Sequence, residues 1–426
     1  MNSFLNTLPA AGGRIGQWLE ESEGKIAPLL KKTDETALFN QAKVLAAFRD
    51  NRVSDHHMNP STGYGYDDEG RDVLERVYAA AFGAEAALVR NQIISGTHAI
   101  SIALFGILRP GDELLYITGQ PYDTLASIVS GPKGQDTGSL KDFGISYRHL
   151  DLNADGTVDF EAVRGAVGEK TKMIAIQRSK GYSLRPSFTV GQIGEMVKEI
   201  RKIKPEAVIF TDNCYGEFVE EREPTEAGVD LMAGSLIKNP GGGLAKTGGY
   251  LAGRAELIEK CAYRMTSPGI GAEAGASLGT LPDMYQGFFL APHVTAQAVK
   301  GAIFTSAMLE AAGMETSPHY SADRTDLIQS VSFGNADQMI RFCREIQSNS
   351  PVNAHFAPVP SYMPGYEDDV IMAAGTFVQG SSIELTADGP IRPPYTAYIQ
   401  GGLTYEHVRI AIMNALASLE SEGLLD

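Results

Sequence analysis

The chain of 426 residues sets 52 acidic against 36 basic side chains, a formal net charge of -16, with 43% hydrophobic residues. That balance argues against a general affinity for nucleic acid or anionic membrane, whose phosphates call for lysine and arginine, and no run approaches the roughly 20 apolar residues that span a bilayer. Three widely spaced cysteines (Cys214, Cys261 and Cys343) form neither a disulfide framework nor a metal cluster; the amino terminus lacks the basic start and apolar run of a secretory signal, so a reducing cytoplasm is expected.

In chain order, the first 60 residues read as a helical arm of the kind used for subunit contacts. Helical periodicities then alternate with short apolar runs: helix 72–82, strand 86–89, helix 97–108, strand 113–118, helix 122–129, strand 145–149, helix 161–167, strand 173–176, helix 190–203 and strand 207–211. Runs at 231–237 and 250–252, flanked by glycines, supply two further strands. Short apolar strands separated by helices predict an α/β domain with a mostly parallel sheet covered on both faces. Beyond about 290 the pattern changes to helices at 294–312 and 336–347, strands at 355–359, 370–373 and 382–385, and a last helix at 405–419. The expected division is therefore an arm (1–60), a large α/β domain (61–290) and a small C-terminal α+β domain (291–426).

The segment GSLIKNPGGGLAKTGGY, 234–250, carries the most chemistry. Lys238 ends an apolar run and meets a glycine turn at once, so its amine is expected partly desolvated, with a lowered pKa, and able to attack a carbonyl; the plain alternative is a surface lysine beside a flexible turn. A phosphate-loop reading fails, because Pro240 and Ala245 occupy the glycine positions required before Lys246-Thr247. Asp212 closes the run AVIFT and should emerge at the carboxyl edge of a parallel strand, where ligands of open α/β sheets gather. A carboxylate there can keep a pyridine nitrogen protonated, although helix-cap and turn aspartates are common. Asp212 precedes Lys238 by 26 positions, room for a connection and one more strand.

In ISGTHAI, 94–100, small residues precede a helical pattern, so backbone N–H groups and the positive helix end face an incoming anion such as a phosphate ester; plain N-capping by Ser95 or Thr97 reads equally well. Tyr122, in QPYDT, follows the next strand and can cover a ring at the same edge. Arg392 sits in the proline-bounded loop DGPIRPPY, 388–395, and offers a fork for a carboxylate. The eight histidines show no metal pattern, and Cys214 reads as packing.

Taken together, STGYGYDD (61–68), the stretch 83–99, QRSKGY with RPS (177–187), DNCYGEF (212–218), 234–253 and IRPPY (391–395) resemble the enzymes of cysteine and methionine metabolism that use pyridoxal 5′-phosphate (PLP). The closer resemblance is to the methionine gamma-lyase-like branch, also called the aluminium-resistance protein family. The resemblance implies the fold-type I architecture, PLP as cofactor, and a homodimer or homotetramer with shared sites. It implies that Lys238 carries the cofactor as a Schiff base and, with Tyr122 stacked on the ring, does the catalysis. Asp212 would pair with the ring nitrogen; Gly96, Thr97 and Ser235 would bind the phosphate; Arg392 would take the substrate carboxylate. Tyr64 and Tyr66 resemble the segment that a neighbouring subunit lends to the site, while Arg178 and Ser179 fall where such enzymes touch the cofactor's phenolic oxygen or the substrate. Lys246 stands where this branch is expected to have proline, which makes it a second candidate lysine; the serine three positions before Lys238 and the glycines after it favour Lys238. The implied activity is a PLP-dependent carbon–sulfur lyase, cystathionine beta-lyase-like, that acts on a small sulfur-containing L-amino acid. Transamination, racemisation and carbon–carbon lysis on the same scaffold, or a PLP-binding stress protein with little turnover, stay open at this point.

Overall fold

The computed structural model describes residues 12–131, 135–363 and 366–425; the first 11 residues of the expected arm lie outside them. The chain forms two compact units, one of Asn40–Leu290 and the other of the residues on either side. One boundary falls inside the long helix α1 (Gly13–Asp50) and the other inside the helix Leu281–Ala311. The arm is thus one long helix whose two ends belong to different units.

Within Asn40–Leu290 the elements are α2 (Glu69–Ala81), β1 (Ala86–Arg90), α3 (Gly96–Ile107), β2 (Glu113–Tyr116), α4 (Asp123–Ser130), β3 (Ser146–His149), α5 (Phe160–Ala166), β4 (Thr171–Gln177), α6 (Val190–Ile203), β5 (Val208–Asp212), β6 (Leu231–Ser235), β7 (Gly249–Gly253) and α7 (Ala255–Met265). The strands form a seven-stranded sheet in the order β1-β7-β6-β5-β4-β2-β3. From β6 to β3 all neighbours are parallel, and β7 alone runs antiparallel to both of its neighbours. Side-chain alternation explains the apolar runs. In β4, Met173 and Ala175 face a core shared with Ile100 and Leu104 of α3 and Leu257 and Cys261 of α7, whereas Ile174 and Ile176 face Ile193, Met196 and Ile200 of α6. A strand buried on both faces has no polar face to show, so it reads as continuous hydrophobic sequence.

The other unit contains the C-terminal part of α8 (Leu281–Ala311), then β8 (Glu315–Ser317), β9 (Gln329–Ser332), α9 (Ala336–Ser348), β10 (Val370–Ala373), β11 (Thr386–Pro390), β12 (Thr396–Gln400) and α10 (Tyr405–Ser421). Its five strands form an antiparallel sheet in the order β10-β11-β12-β9-β8. Two expected strands are corrected: 355–359 is irregular, and the strand placed at 382–385 lies immediately after it, in Thr386–Pro390. Ile383 and Leu385 are buried, which made their segment look strand-like, while the pairing falls on the polar TADGP. Helix α8 begins well before 294 and passes through Pro292. Among the described residues no helix is long and apolar enough to cross a membrane.

An ion pair ties α2 to the edge strand β1. Arg90 is 1% exposed; its Nε donates to Glu75 Oε1 at 2.6 Å, and its Nη atoms donate at 2.9 Å to the carbonyls of Ala274 and Ala272. Removing one partner of a buried pair strands the other charge in low dielectric. Glu75→Ala is therefore expected to lose about 3–5 kcal/mol of unfolding free energy in a denaturant titration, far more than removal of an exposed ion pair such as Lys25–Glu21.

Candidate active site

Parallel strands β5 and β6 end side by side, with Asp212 in register with Ala233, so Asp212 and Ser235 emerge at the same carboxyl edge. Helix α3 starts at that edge. Ser95 caps it by accepting from the His98 N–H at 3.0 Å, and the His98 Nδ1 accepts in turn from the Ile94 N–H at 3.2 Å. Gly96 comes so close to the strand ends that an added Cβ would lie 3.1 Å from Cys214 Sγ and 3.3 Å from Ser235 Cβ. Gly96, Ser235 and the turn after Asp212 therefore wall one small space that a side chain would fill. The hydroxyls of Thr97 and Tyr122 are hydrogen-bonded, and the Tyr122 N–H donates to Gln177 Oε1 at 2.9 Å; the second bond fixes Tyr122 against the end of β4.

Lys238 follows β6 by three residues, half-buried, with Nζ 3.4 Å from the centroid of the Tyr215 ring. Asn239 clamps the two segments: its Nδ2 donates to the carbonyls of Tyr215 at 3.0 Å and Glu217 at 2.9 Å. The following glycines are dictated by space, since a Cβ on Gly241 would sit 1.7 Å from the Leu236 carbonyl oxygen. Lys246 is exposed and ion-paired with Asp283 at 2.8 Å. Of the two candidate lysines, Lys238 is the one that stands with Asp212, Tyr122 and the α3 terminus.

Asp212 is buried, and its Oδ1 accepts from the Cys214 N–H at 3.1 Å. Burial pushes its carboxyl above the ordinary range; the Cys214 donors, Lys238 and Arg185 pull it back only in part. A buried carboxylate of this kind favours a cationic or N–H partner. Burial holds the Cys214 thiol well above its ordinary pKa, so at neutral pH it is protonated. The lowered pKa expected of Lys238 is corrected. Burial does push the amine down, but Tyr215, Cys214 and Tyr122 push it further up, and the net direction is upward.

Arg178, expected to touch the cofactor's phenolic oxygen or the substrate, is enclosed by protein groups. Its side chain is fully buried, Nη1 donating to Asn213 Oδ1 at 2.8 Å and Nη2 to Glu220 Oε1 at 2.8 Å, with Glu223 3.6 Å away. The guanidinium braces the turn after β5. Behind the same turn lies a carboxyl pair with no local signature in the sequence. Glu223 accepts from Asn213 Nδ2 at 3.0 Å and from the Phe218 N–H at 2.9 Å; Glu217 accepts from the Tyr250 hydroxyl at 2.7 Å. Glu217 Oε2 is buried without a hydrogen-bond partner, and burial pushes this carboxyl up to about 8.

Ser179 is buried, its carbonyl accepting from Arg185 Nη2 at 2.7 Å and Gln177 Nε2 at 2.9 Å. Tyr64 and Tyr66 are 71% and 56% exposed and stacked on each other at 5.3 Å. Arg392 belongs to the other unit, where it is half-exposed and paired with Asp368 at 3.0 Å. His56, His57 and Glu69 bring potential metal-ligating atoms within 4.8 Å of one another. His57 Nδ1, however, accepts from the Ser54 N–H at 3.0 Å, so the ring proton lies on Nε2, the atom that faces Glu69 at 3.6 Å; that proton excludes ligation there.

The mostly parallel sheet with its one antiparallel strand, β7, is the fold of fold-type I PLP enzymes. A PLP-dependent protein of Escherichia coli, YhfS, shares this fold with a TM-score of 0.61 at 18% identity, over 91% of this chain and 97% of its own. The chain belongs to the methionine gamma-lyase family, whose model matches residues 15–420. An uncharacterized Bacillus subtilis protein, YnbB, is 63% identical over 95% of this chain and 96% of its own. A Listeria monocytogenes crystal structure, provisionally named a cystathionine beta-lyase involved in aluminum resistance, superposes with a TM-score of 0.93 at 64% identity, over 95% of this chain and 99% of that one.

The raised Glu217 carboxyl has a stability consequence. Its folded pKa of about 8 exceeds the ordinary 4.5, so between these values the folded protein holds a proton that the unfolded chain has released, and folding weakens as pH rises. Glu217→Gln cannot titrate. Relative to wild type its unfolding free energy should rise by roughly 1.4 kcal/mol per pH unit across that window and stay level outside it; urea titrations at several pH values measure this.

Proposed function

We propose that the protein is a PLP-dependent carbon–sulfur lyase that converts a sulfur-containing L-amino acid and one water into a 2-oxo acid, ammonia and a thiol by β- or γ-elimination. The reading is carried by the convergence of Asp212, Lys238, Ser235 and the Gly96–Thr97 helix start at one sheet edge. These residues fit the cofactor: a buried carboxylate for a ring nitrogen, an amine for an aldehyde, and a side-chain-free helix terminus for a phosphate. When bound, PLP supplies an aldehyde that engages the substrate amine and a protonated ring that accepts electron density.

The protein's own groups do the rest. The Asp212 carboxylate holds the proton at the ring nitrogen, and its burial lets little water compete for that bond. The N–H groups at the start of α3, with the Thr97 and Ser235 hydroxyls, hold the phosphate. Tyr122, tied to Thr97 and Gln177, covers the ring face. As a neutral amine, Lys238 would take the Cα proton on Nζ as general base, and the sulfur would leave from the β or γ carbon. For the substrate carboxylate the sequence offers Arg392. Tyr64 and Tyr66, exposed on their loop, would serve the site of a second copy of the chain in a homo-oligomer, and Ser179 would lie toward the cofactor's phenolic oxygen.

Incubation with PLP should give a visible absorption band that borohydride abolishes, with the reduced adduct mapped to Lys238. In Lys238→Ala both that band and lyase turnover should vanish, the latter by at least about 10²–10⁴-fold, whereas Lys246→Ala should retain both. Ammonia and 2-oxo acid formed without an amino acceptor separate the lyase from an aminotransferase; no product across a panel of sulfur amino acids, with PLP firmly bound, refutes the lyase. Arg392→Ala should raise KM while kcat changes little.

A further inference from the structure

We propose that the Tyr215 ring docks the free ammonium of Lys238 and so governs how readily this lysine yields its proton to engage an aldehyde. The inference rests on the PLP reading above and adds a positioning residue to it.

Three observations carry it. The Lys238 Nζ lies 3.4 Å from the ring centroid, well inside the roughly 6 Å over which a cation is held by an aromatic face. Tyr215 has φ +73, a left-handed conformation that bulky residues adopt only where the surroundings impose it. The surroundings do impose it: Asn239, the residue next to Lys238, accepts no freedom in the turn because its Nδ2 bonds the Tyr215 and Glu217 carbonyls, and the Gly216 N–H donates to the Asn213 carbonyl at 3.0 Å. On the other side Gly216 abuts Arg178, whose Nη1 would be 2.4 Å from an added Cβ. The strained turn thus holds one aromatic face against one lysine.

The groups acting on Lys238 are Tyr122 from the start of α4, and Asp212, Cys214, Tyr215 and Glu217 from the end of β5 and the turn after it. At neutral pH Cys214 is a thiol and Glu217, at about 8, is mostly protonated. In the cofactor-free protein Asp212 acts on the ammonium as a counter-charge, and the Tyr215 face is the contact that lies directly on Nζ.

Capture of PLP joins Nζ to the aldehyde carbon and releases one water, and it requires the amine to have lost its extra proton to solvent first. Stabilising the ammonium therefore slows capture below the lysine's pKa. With full-length protein freed of cofactor, the rate of forming a borohydride-trappable Lys238 adduct with PLP would be followed from pH 6 to 9. Tyr215→Leu should capture about tenfold faster at each pH, a displacement of about one pH unit; Tyr215→Phe, which keeps the ring and loses only the hydroxyl's bond to the lysine, should stay closer to wild type than to Tyr215→Leu. A merely structural role predicts the opposite sign, since a loosened turn would misplace the lysine, so capture by Tyr215→Leu at the wild-type rate or slower overturns the proposal. Competitive acetylation of wild type and Tyr215→Leu provides a second test. Lys238 titrating above the exposed lysines in wild type and falling by about one pH unit in Tyr215→Leu supports the dock; no fall, or titration with or below the exposed lysines in wild type, overturns it. If PLP is trapped on no lysine or on another one, the proposed function falls, while the acetylation result still decides the dock.

Discussion

The burial of Arg178 is the constraint on which the rest of the site depends. A guanidinium with no solvent exposure is tolerable only where its donors and its charge are both answered, and Asn213, Glu220 and Glu223 answer them. Each of these acceptors lies in or just after the turn that leaves β5. The charge therefore draws that turn inward and holds it in one shape. Tyr215 and Phe218 both take positive φ within it, a cost of order 1–3 kcal/mol each that persists only when the surroundings over-determine the backbone. Asp212 at one end of the turn and the Asn239 clamp at the other inherit their positions from this brace.

The second determinant is the sheet itself. Parallel pairing from β6 to β3 sends successive strand ends to one edge, and the antiparallel β7 brings the glycine-rich segment after Lys238 back alongside β6. Helix α3 can start against the strand ends only because residue 96 has no side chain. Charge, polarity and shape at the site thus come from chain segments far apart in sequence but adjacent at one sheet edge, as expected for ligand sites of open α/β sheets.

Much of the large unit could be read from the sequence, because strands buried on both faces leave uninterrupted apolar runs and the helices between them keep their periodicity. The small unit could not be read as well. Its strand β11 is TADGP, in which every residue after the threonine is of a type poor in strand propensity, and it is held by neighbours on both sides, with Gln400 Nε2 donating to Asp388 Oδ2 at 3.0 Å. Tertiary pairing overrides local preference there, and the apolar Ile383 and Leu385 just before it mislead. At the candidate site, Lys238, Asp212, Gly96, Thr97 and Tyr122 could be placed at one sheet edge because strand ends and glycine turns have local signatures, whereas Ser235 was expected there only from the family resemblance. Arg178 shows the complementary limit. An arginine at a strand end looks like a ligand-binding group until its acidic partners, more than 40 residues further on, are seen to enclose it. Tyr215 and Glu217 carried no signal, since neither a left-handed backbone nor the burial of a carboxyl can be deduced from residue type.

The three cysteines are all buried and unpaired by disulfides, and burial raises each thiol above its ordinary pKa. They are distributed usefully: Cys214 in the site turn, Cys261 in α7 of the large unit and Cys343 in α9 of the other unit. A thiolate must form before an electrophile or oxidant can react, so each sulfur becomes reactive only when its surroundings open. The chain thereby contains three native clocks of local opening, and their separate rates of alkylation would rank the site turn, the parallel sheet and the C-terminal unit by how often each breathes.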